Sequence, residues 1–468
     1  MGSGWFCFEY AQDPSSLPGY LVELVTRLRA ALHDADFCAR HRVRAADFSR
    51  ASPLNFANVM LLILQKTTLA VQRHLHEFFS WCGEACAPQP VTAGAWTQAR
   101  AKLRAQAFDE LNETLVLPSA YAAEQRAALR LWQGHRVVAF DGSLLRLPAS
   151  ASVQKVFGMV HVSNQSGATG TAYPEGRISV VYDVLNALGL DAQLLPGSVG
   201  EVQMAAGQLA ALEPGDLAVV DRGYTGYEFL ALLVAQAGVA FVARCSRASF
   251  ASANEMFLND KAGVSRIVTL RRPQVAARLS ARIGTAAWSE LPRTLKVRLV
   301  SVRLSTGELE VLVTSLLDEA VYPTEVFGAL YHLRWSIETH YQVLKSRLDL
   351  ENWSGQTLES VRQDFAACVL VSNLESLFTR PAQARLDAGA ATRKHPVRVN
   401  RAVAFHALKA RVLDLLAGER PPAEVLMRLQ RLFQAAPVTV RPERHCPRRP
   451  PSLARSYHYQ RRVRKSVF

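Results

Sequence analysis

The chain has 468 residues, 49% hydrophobic and 20% charged, which is enough apolar material for two or more packed domains and too much chain for one. No run reaches the roughly 18 apolar residues that span a bilayer, and the opening MGSGWFCFEY has neither the basic nor the apolar stretch of a secretory leader, so a non-membrane, cytoplasmic protein is expected. The formal net charge of +14 is unevenly placed: residues 381–468 hold 19 Lys/Arg and 5 Asp/Glu, which leaves 35 against 35 in residues 1–380. A basic segment on a neutral body is an electrostatic footprint for polyanions.

The seven cysteines are scattered and odd in number, so no disulfide framework is expected. Cys82-x3-Cys86 has no matching His or Cys pair after it, so zinc is not expected either.

In chain order, residues 17–115 predict helices. LPGYLVELVTRLRAALHDADF carries apolar residues at helical spacing, and SPLNFANVMLLILQKTTLAVQRHLHEFFSW opens with Ser-Pro and runs long. Thr92 is a predicted cap for a short helix towards Leu103, with a second helix after it. Arg100, Lys102 and Arg104 between the two suit either a DNA-binding helix pair or the charged face of an ordinary bundle.

Residues 136–250 alternate in type. HRVVAFDGS and LAVVDRGY are apolar runs that end in Asp141 and Asp221, and short apolar runs closed by turn residues predict buried strands. Between them lie a glycine-containing polar stretch, two strands from RISVVYDVLNALGLDAQLLPG with a turn near Asn186 to Leu190, and the helix EVQMAAGQLAAL. After Asp221 come a helix, YEFLALLVAQAG, and a strand, VAFVARCS. Residues 251–318 turn β-like, with Thr306-Gly307 as a hairpin turn. Helices are predicted in 322–350 and 357–378, and the composition then shifts to Arg, Pro and Ala. From Pro437 onward nine basic residues, one acid and five prolines predict a tail that orders only on binding.

Within 322–350, Tyr331, Arg334, Glu338 and Lys345 fall in one helical stripe roughly 60° wide at about 100° per residue. Leu330, Leu333, Ile337, Leu344 and Leu348 form the apolar stripe beside it. A glutamate between an arginine and a lysine suits a site that handles a metal ion and phosphates together. Two strand-end aspartates and this glutamate are hard oxygen donors for Mg²⁺ or Mn²⁺. Two such ions about 3.5–4 Å apart serve phosphodiester cleavage.

The spacing Tyr-x2-Arg-x3-Glu-x6-Lys, with DGS and DRGY before it and NWSGQTLESVRQDFAACVLVSNL after it, resembles the signature of DDE-class insertion-sequence transposases of the "insertion sequence four" family. The likeness runs over roughly residues 130–375. It implies an α/β fold: a ribonuclease-H-like mixed sheet core with a β-rich insertion, a helical N-terminal domain and a basic helical C-terminal region. The implied domains are 1–125 for binding DNA ends, 126–250 with 319–378 for catalysis, 251–318 for the insertion, and 379–468 for DNA contact or dimerisation. Asp141, Asp221 and Glu338 are implied as the metal ligands of a two-ion site.

Tyr331, Arg334 and Lys345 are implied at the cleaved strand, and Arg222 beside Asp221 either touches DNA or only balances the acids. Trp288, in the insertion segment, is the implied platform for a flipped base. The implied partners are double-stranded DNA, as element ends and target, and a second copy of the chain assembled on it. The implied activity is strand nicking by water followed by strand transfer by the 3′-hydroxyl. The alternative is a DNA-binding protein descended from such an enzyme and no longer catalytic.

Overall fold

The computed structural model describes residues 17–67, 69–83, 90–161, 172–274, 289–304, 306–390 and 393–441. The glycine-containing stretch at 162–171, Cys86, Trp288 and the basic tail beyond Arg441 lie outside them. The chain divides into two compact units, one of residues 1–128, 147–155 and 344–468, the other of residues 129–146 and 156–343.

The second unit is built on one eight-stranded mixed sheet of order β3-β2-β1-β4-β5-β8-β7-β6. The strands are β1 (Arg136–Arg146), β2 (Glu175–Asp183), β3 (Leu188–Pro196), β4 (Asp216–Val220), β5 (Ala240–Arg244), β6 (Ser265–Arg271), β7 (Thr294–Arg303) and β8 (Leu309–Thr314). β1, β2 and β3 form an antiparallel meander, and β4 and β5 run parallel to β1. The helices Glu201–Gly207 and Tyr227–Ala235 make the crossovers that parallel neighbours need. This order and sense of the first five strands is that of a ribonuclease-H-like sheet.

Burial explains the composition of the central strands. All five residues of β4 and Val137 to Phe140 of β1 are buried, so these strands are apolar without alternation. The parallel register of β1 on β4 is pinned at its start, where Arg136 Nε and Nη2 each reach Asp216 at 2.7 Å and Arg136 pairs with Asp216 in the ladder.

The strands of 251–318 join the core: β6, β7 and β8 lengthen its sheet through the antiparallel β5–β8 pair. Their backbone edges are satisfied by joining a sheet that already exists. One sequence expectation needs revision, for the stretch 322–350 is not one helix. Val326–His332 and Trp335–Ser346 are separate helices with a turn at Leu333 and Arg334.

The other unit is helical. The 31-residue helix Leu358–Ala388 is capped by the Thr357 side chain and is buried on all sides over most of its length. Such all-round burial marks a central helix. Gly19–His33, Phe56–Gln65, Arg401–Leu416 and Pro422–Ala435 belong to the same unit. The long run expected over residues 52–81 breaks after Gln65, and Val71–Cys82 forms separately. Thr92 caps Ala93–Arg100, its hydroxyl accepting from Ala95 N at 3.2 Å. Among the described residues no helix is long and apolar enough to cross a membrane.

Candidate active site

β1 and β4 stay paired from Arg136↔Asp216 to Ala139↔Val219. Extending that register by two residues sets Asp141 abreast of Asp221. β1 does not end there as expected; it continues to Arg146 on β2, so Asp141 sits where β1 parts from β4. Asp221 follows the last residue of β4 and opens the 3-10 turn Arg222–Tyr224.

Each carboxylate is held by named groups. Asp141 Oδ1 accepts from Gly142 N at 2.9 Å, and its carbonyl accepts from the Tyr341 hydroxyl at 2.5 Å. Tyr341 Oη in turn accepts from Val180 N at 3.1 Å, which ties the Glu338 helix to the β1–β2 pair. Asp221 Oδ1 accepts from the Tyr331 hydroxyl at 3.3 Å. Glu338 Oε1 accepts from Arg334 Nη2 at 2.9 Å, one helical turn away. Arg334 is only 4% exposed and lies 5.1 Å from the Trp335 ring and 5.9 Å from the Tyr331 ring.

The electrostatics follow from crowding. Burial pushes the Asp141 carboxyl up to about 6, opposed by the Gly142 N–H and Arg334 and assisted by Glu201 and Glu338. Burial by itself would lower the Arg334 guanidinium, but Tyr331, Glu338 and Asp221 outweigh it and raise it. Burial raises the Tyr331 hydroxyl, so it stays protonated and donates. Among the described residues no three His, Cys, Asp or Glu side chains are drawn close enough to hold a metal ion. The Glu338 carboxylate is turned to Arg334 and the Asp221 carboxylate to Tyr331. The donors are nevertheless all hard oxygens, and Asp141 is a buried carboxyl whose charge a cation would favour.

Residues 132–374 match the family model described as the transposase DDE domain. The chain belongs to this family. A solved structure, a cryo-EM "piggyBac transposase synaptic complex with hairpin DNA", is similar at 10% identity with a TM-score of 0.42, over 95% of this chain and 84% of that one. No curated protein matches the sequence.

The DDE domain spans both aspartates and the whole Tyr331–Lys345 stretch. Lys345 stands on the Glu338 helix, half-buried; burial lowers its ammonium and Glu351 opposes the shift. Arg222 is exposed directly after Asp221. Lys102 is exposed in the turn after Ala93–Arg100.

Arg100 does not suit DNA contact. It is 4% exposed, and its guanidinium is spent on Asp364 at 2.7 Å, Gln363 at 2.6 Å, Ser354 at 2.6 Å and the Ser360 carbonyl at 2.9 Å. Four of its five N–H donors are filled inside the helical unit, and its burial leaves no access for a phosphate. The short helix it ends buries Trp96, Ala99 and Arg100, while Gly94, Ala95, Thr97 and Gln98 on its other side are exposed.

Sequence reasoning missed Tyr341, Tyr224 and Glu201. Tyr341 lay in view, three residues beyond Glu338 on the same helix. Tyr224 closes DRGY but carries no charge to single it out. Nothing in the sequence links Glu201 to Gly142, because their approach depends on how a crossover helix packs on β1.

Proposed function

We propose that the chain is an active DNA transposase that cuts and rejoins DNA at the ends of an insertion sequence, of the "insertion sequence four" kind with the Tyr-Arg-Glu-Lys signature. The reading is carried by the parallel register that brings Asp141 abreast of Asp221, with Glu338 joined to the same cluster through Arg334. Asp141, Asp221 and Glu338 would hold Mg²⁺ or Mn²⁺, two ions in all. Bound there, the ions supply charge neutralisation for an attacking and a leaving oxygen.

The chain's own groups do the remaining work. Glu338 leaves Arg334 to join the aspartates, and the freed guanidinium takes a phosphate of the cleaved strand through its planar fork. Tyr331, already a donor to Asp221, holds that carboxylate in orientation. Lys345 and Arg222 neutralise neighbouring phosphates, and Lys102 offers a further positive charge to DNA. Positioning and charge stabilisation are most of what phosphoryl transfer asks of a protein. Water attacks first to nick the strand, and the released 3′-hydroxyl then attacks the opposite strand as a hairpin or the target DNA. The basic segment 379–468 adds sequence-independent affinity, and two copies meet on paired DNA ends.

The test is a gel assay with element-end DNA and Mg²⁺ or Mn²⁺, comparing the native chain with Glu338→Gln. Cleavage lost with binding retained supports the reading. Binding without cleavage by the native chain under either ion would leave only a DNA-binding role.

A further inference from the structure

We propose that Glu310 is a positioning residue of the site: it holds Arg244 beside Asp221, where the free edge of that guanidinium takes a phosphate of the DNA. The proposal rests on the function read above. β4 and β5 stay in parallel register from Leu217↔Ala240 to Val220↔Ala243. Asp221 is still extended, at φ −80° and ψ 174°, so one further step sets it abreast of Arg244. Ligands gather at this C-terminal edge of central parallel strands.

The ladder places these groups on one face. Arg244 pairs with Leu312 across the antiparallel β5–β8 contact, and Glu310 lies two residues along β8 on the same side. Glu310 pairs in turn with Val302 of β7. The helix Val326–His332 covers that face, for a Cβ at Gly328 would stand 3.9 Å from the Val302 Cβ. From the same helix the Tyr331 hydroxyl reaches Asp221. Asp221, Arg244 and Glu310 therefore share one face of the sheet under one helix.

Two acids hold Arg244, and they differ. Glu310 Oε1 lies 3.1 Å from Arg244 Nε, and the Glu310 side chain is only 6% exposed. Glu308 Oε1 accepts from Arg244 Nη2 at 3.4 Å, from a side chain 65% exposed. An exposed ion pair of that length contributes little, so Nη2 leaves Glu308 readily. The buried pair stays, because Glu310 without its arginine would be a charge stranded in the interior. Nη1 has no acceptor among the described residues, and the Arg244 side chain is 26% exposed. Anchored at Nε, the guanidinium presents Nη1 and Nη2 together, the pair of parallel donors that suits a phosphate. Glu310 by itself would repel a polyanion; here its charge is matched by the arginine it aims.

The experiment uses the full chain with element-end DNA and Mn²⁺, and compares the native protein with Arg244→Gln, Glu310→Gln and the two combined. It reads the single-turnover cleavage rate at saturating DNA, the salt dependence of binding, and the melting temperature. Arg244→Gln should slow cleavage at least about tenfold and flatten the log–log salt slope by about 0.9, the share of one phosphate. Glu310→Gln should slow cleavage by a similar factor and keep the slope, and the combined variant should be no slower than Arg244→Gln alone. A lower melting temperature with native rate and slope makes the pair purely structural and overturns the proposal. Effects that multiply in the combined variant break the link from Glu310 to Arg244. Where either Gln variant does not fold, Arg244→Lys and Glu310→Asp decide: each keeps its charge but loses the aim, and native cleavage rates overturn the proposal. Native cleavage that no variant disturbs refutes this role alone, whereas no cleavage by the native chain refutes the function on which it rests.

Discussion

Replacing Asp141 by asparagine should make the ion-free protein more stable in alkaline solution while abolishing its activity. Burial holds this carboxyl up at about 6 against an ordinary 3.8. Below about pH 4 the group is protonated in both the folded and the unfolded chain, so it makes no difference to stability. As the pH rises from about 4 to 6, the unfolded chain has shed the proton while the folded one still holds it, so stability falls, and above 6 the loss is complete. The rise from 3.8 to about 6 corresponds to about 3 kcal/mol above pH 6.

Asparagine keeps an oxygen for the Gly142 N–H and carries no charge, so the variant escapes this loss. Urea unfolding followed by tryptophan fluorescence should show it about 1–3 kcal/mol more stable than the native chain at pH 8, with the gap closing by pH 4. Saturating Mn²⁺ should narrow or reverse the order, since an ion at about 100 times its Kd stabilises by about 2.7 kcal/mol only the chain that binds it. An asparagine variant equal to or weaker than the native chain at pH 8, or a gap indifferent to pH, would refute the argument.

Arg100→Ala should cost about 3–5 kcal/mol in urea unfolding, because it strands Asp364 as an uncompensated charge inside the helical unit. Lower DNA affinity with unchanged stability would instead restore Arg100 as a DNA contact. Cys245, pushed up to about 12 by burial, and Cys368, raised by burial, should resist iodoacetamide at pH 8 until the chain is denatured; labelling of either in the folded protein, read by mass spectrometry, would contradict their placement. Arg298 is 0% exposed, donates to the Tyr322 carbonyl at 2.6 Å and steadies the turn that leads into Val326–His332. Arg298→Met should lower both the melting temperature and cleavage, and a variant that retains both would remove that link. Deleting residues 442–468, with eight Lys/Arg against one acid, should flatten the salt dependence of DNA binding by about 0.9 in log–log slope for each phosphate that is no longer neutralised, and an unchanged slope would assign those charges no part in binding.

What the sequence made legible was local. Val137 to Phe140 and Leu217 to Val220 announce buried strands because both faces are covered, and Thr92 announces a cap because a hydroxyl before a helical run has a free N–H to accept. The hairpin at Gly307 showed for a similar reason, its φ of 86° being a conformation glycine tolerates. What stayed hidden was tertiary. The helical stripe of Tyr331, Arg334 and Glu338 survives a break at Leu333 that spacing alone does not register, since Leu333 keeps helix-like backbone angles. Arg100 looked like surface charge because composition says nothing about an aspartate 264 positions later. The close approach of Glu201 to β1 comes from the small size of Gly142, which a one-dimensional pattern reports only as a turn residue.

The double contact between Arg136 and Asp216 has a consequence at a distance. Side chains on a strand alternate between faces, so slipping β1 by a single step against β4 would turn Asp141 to the opposite surface and leave Asp221 facing an apolar neighbour. A lesion at the far end of the sheet would thereby separate the two aspartates as completely as the loss of one of them.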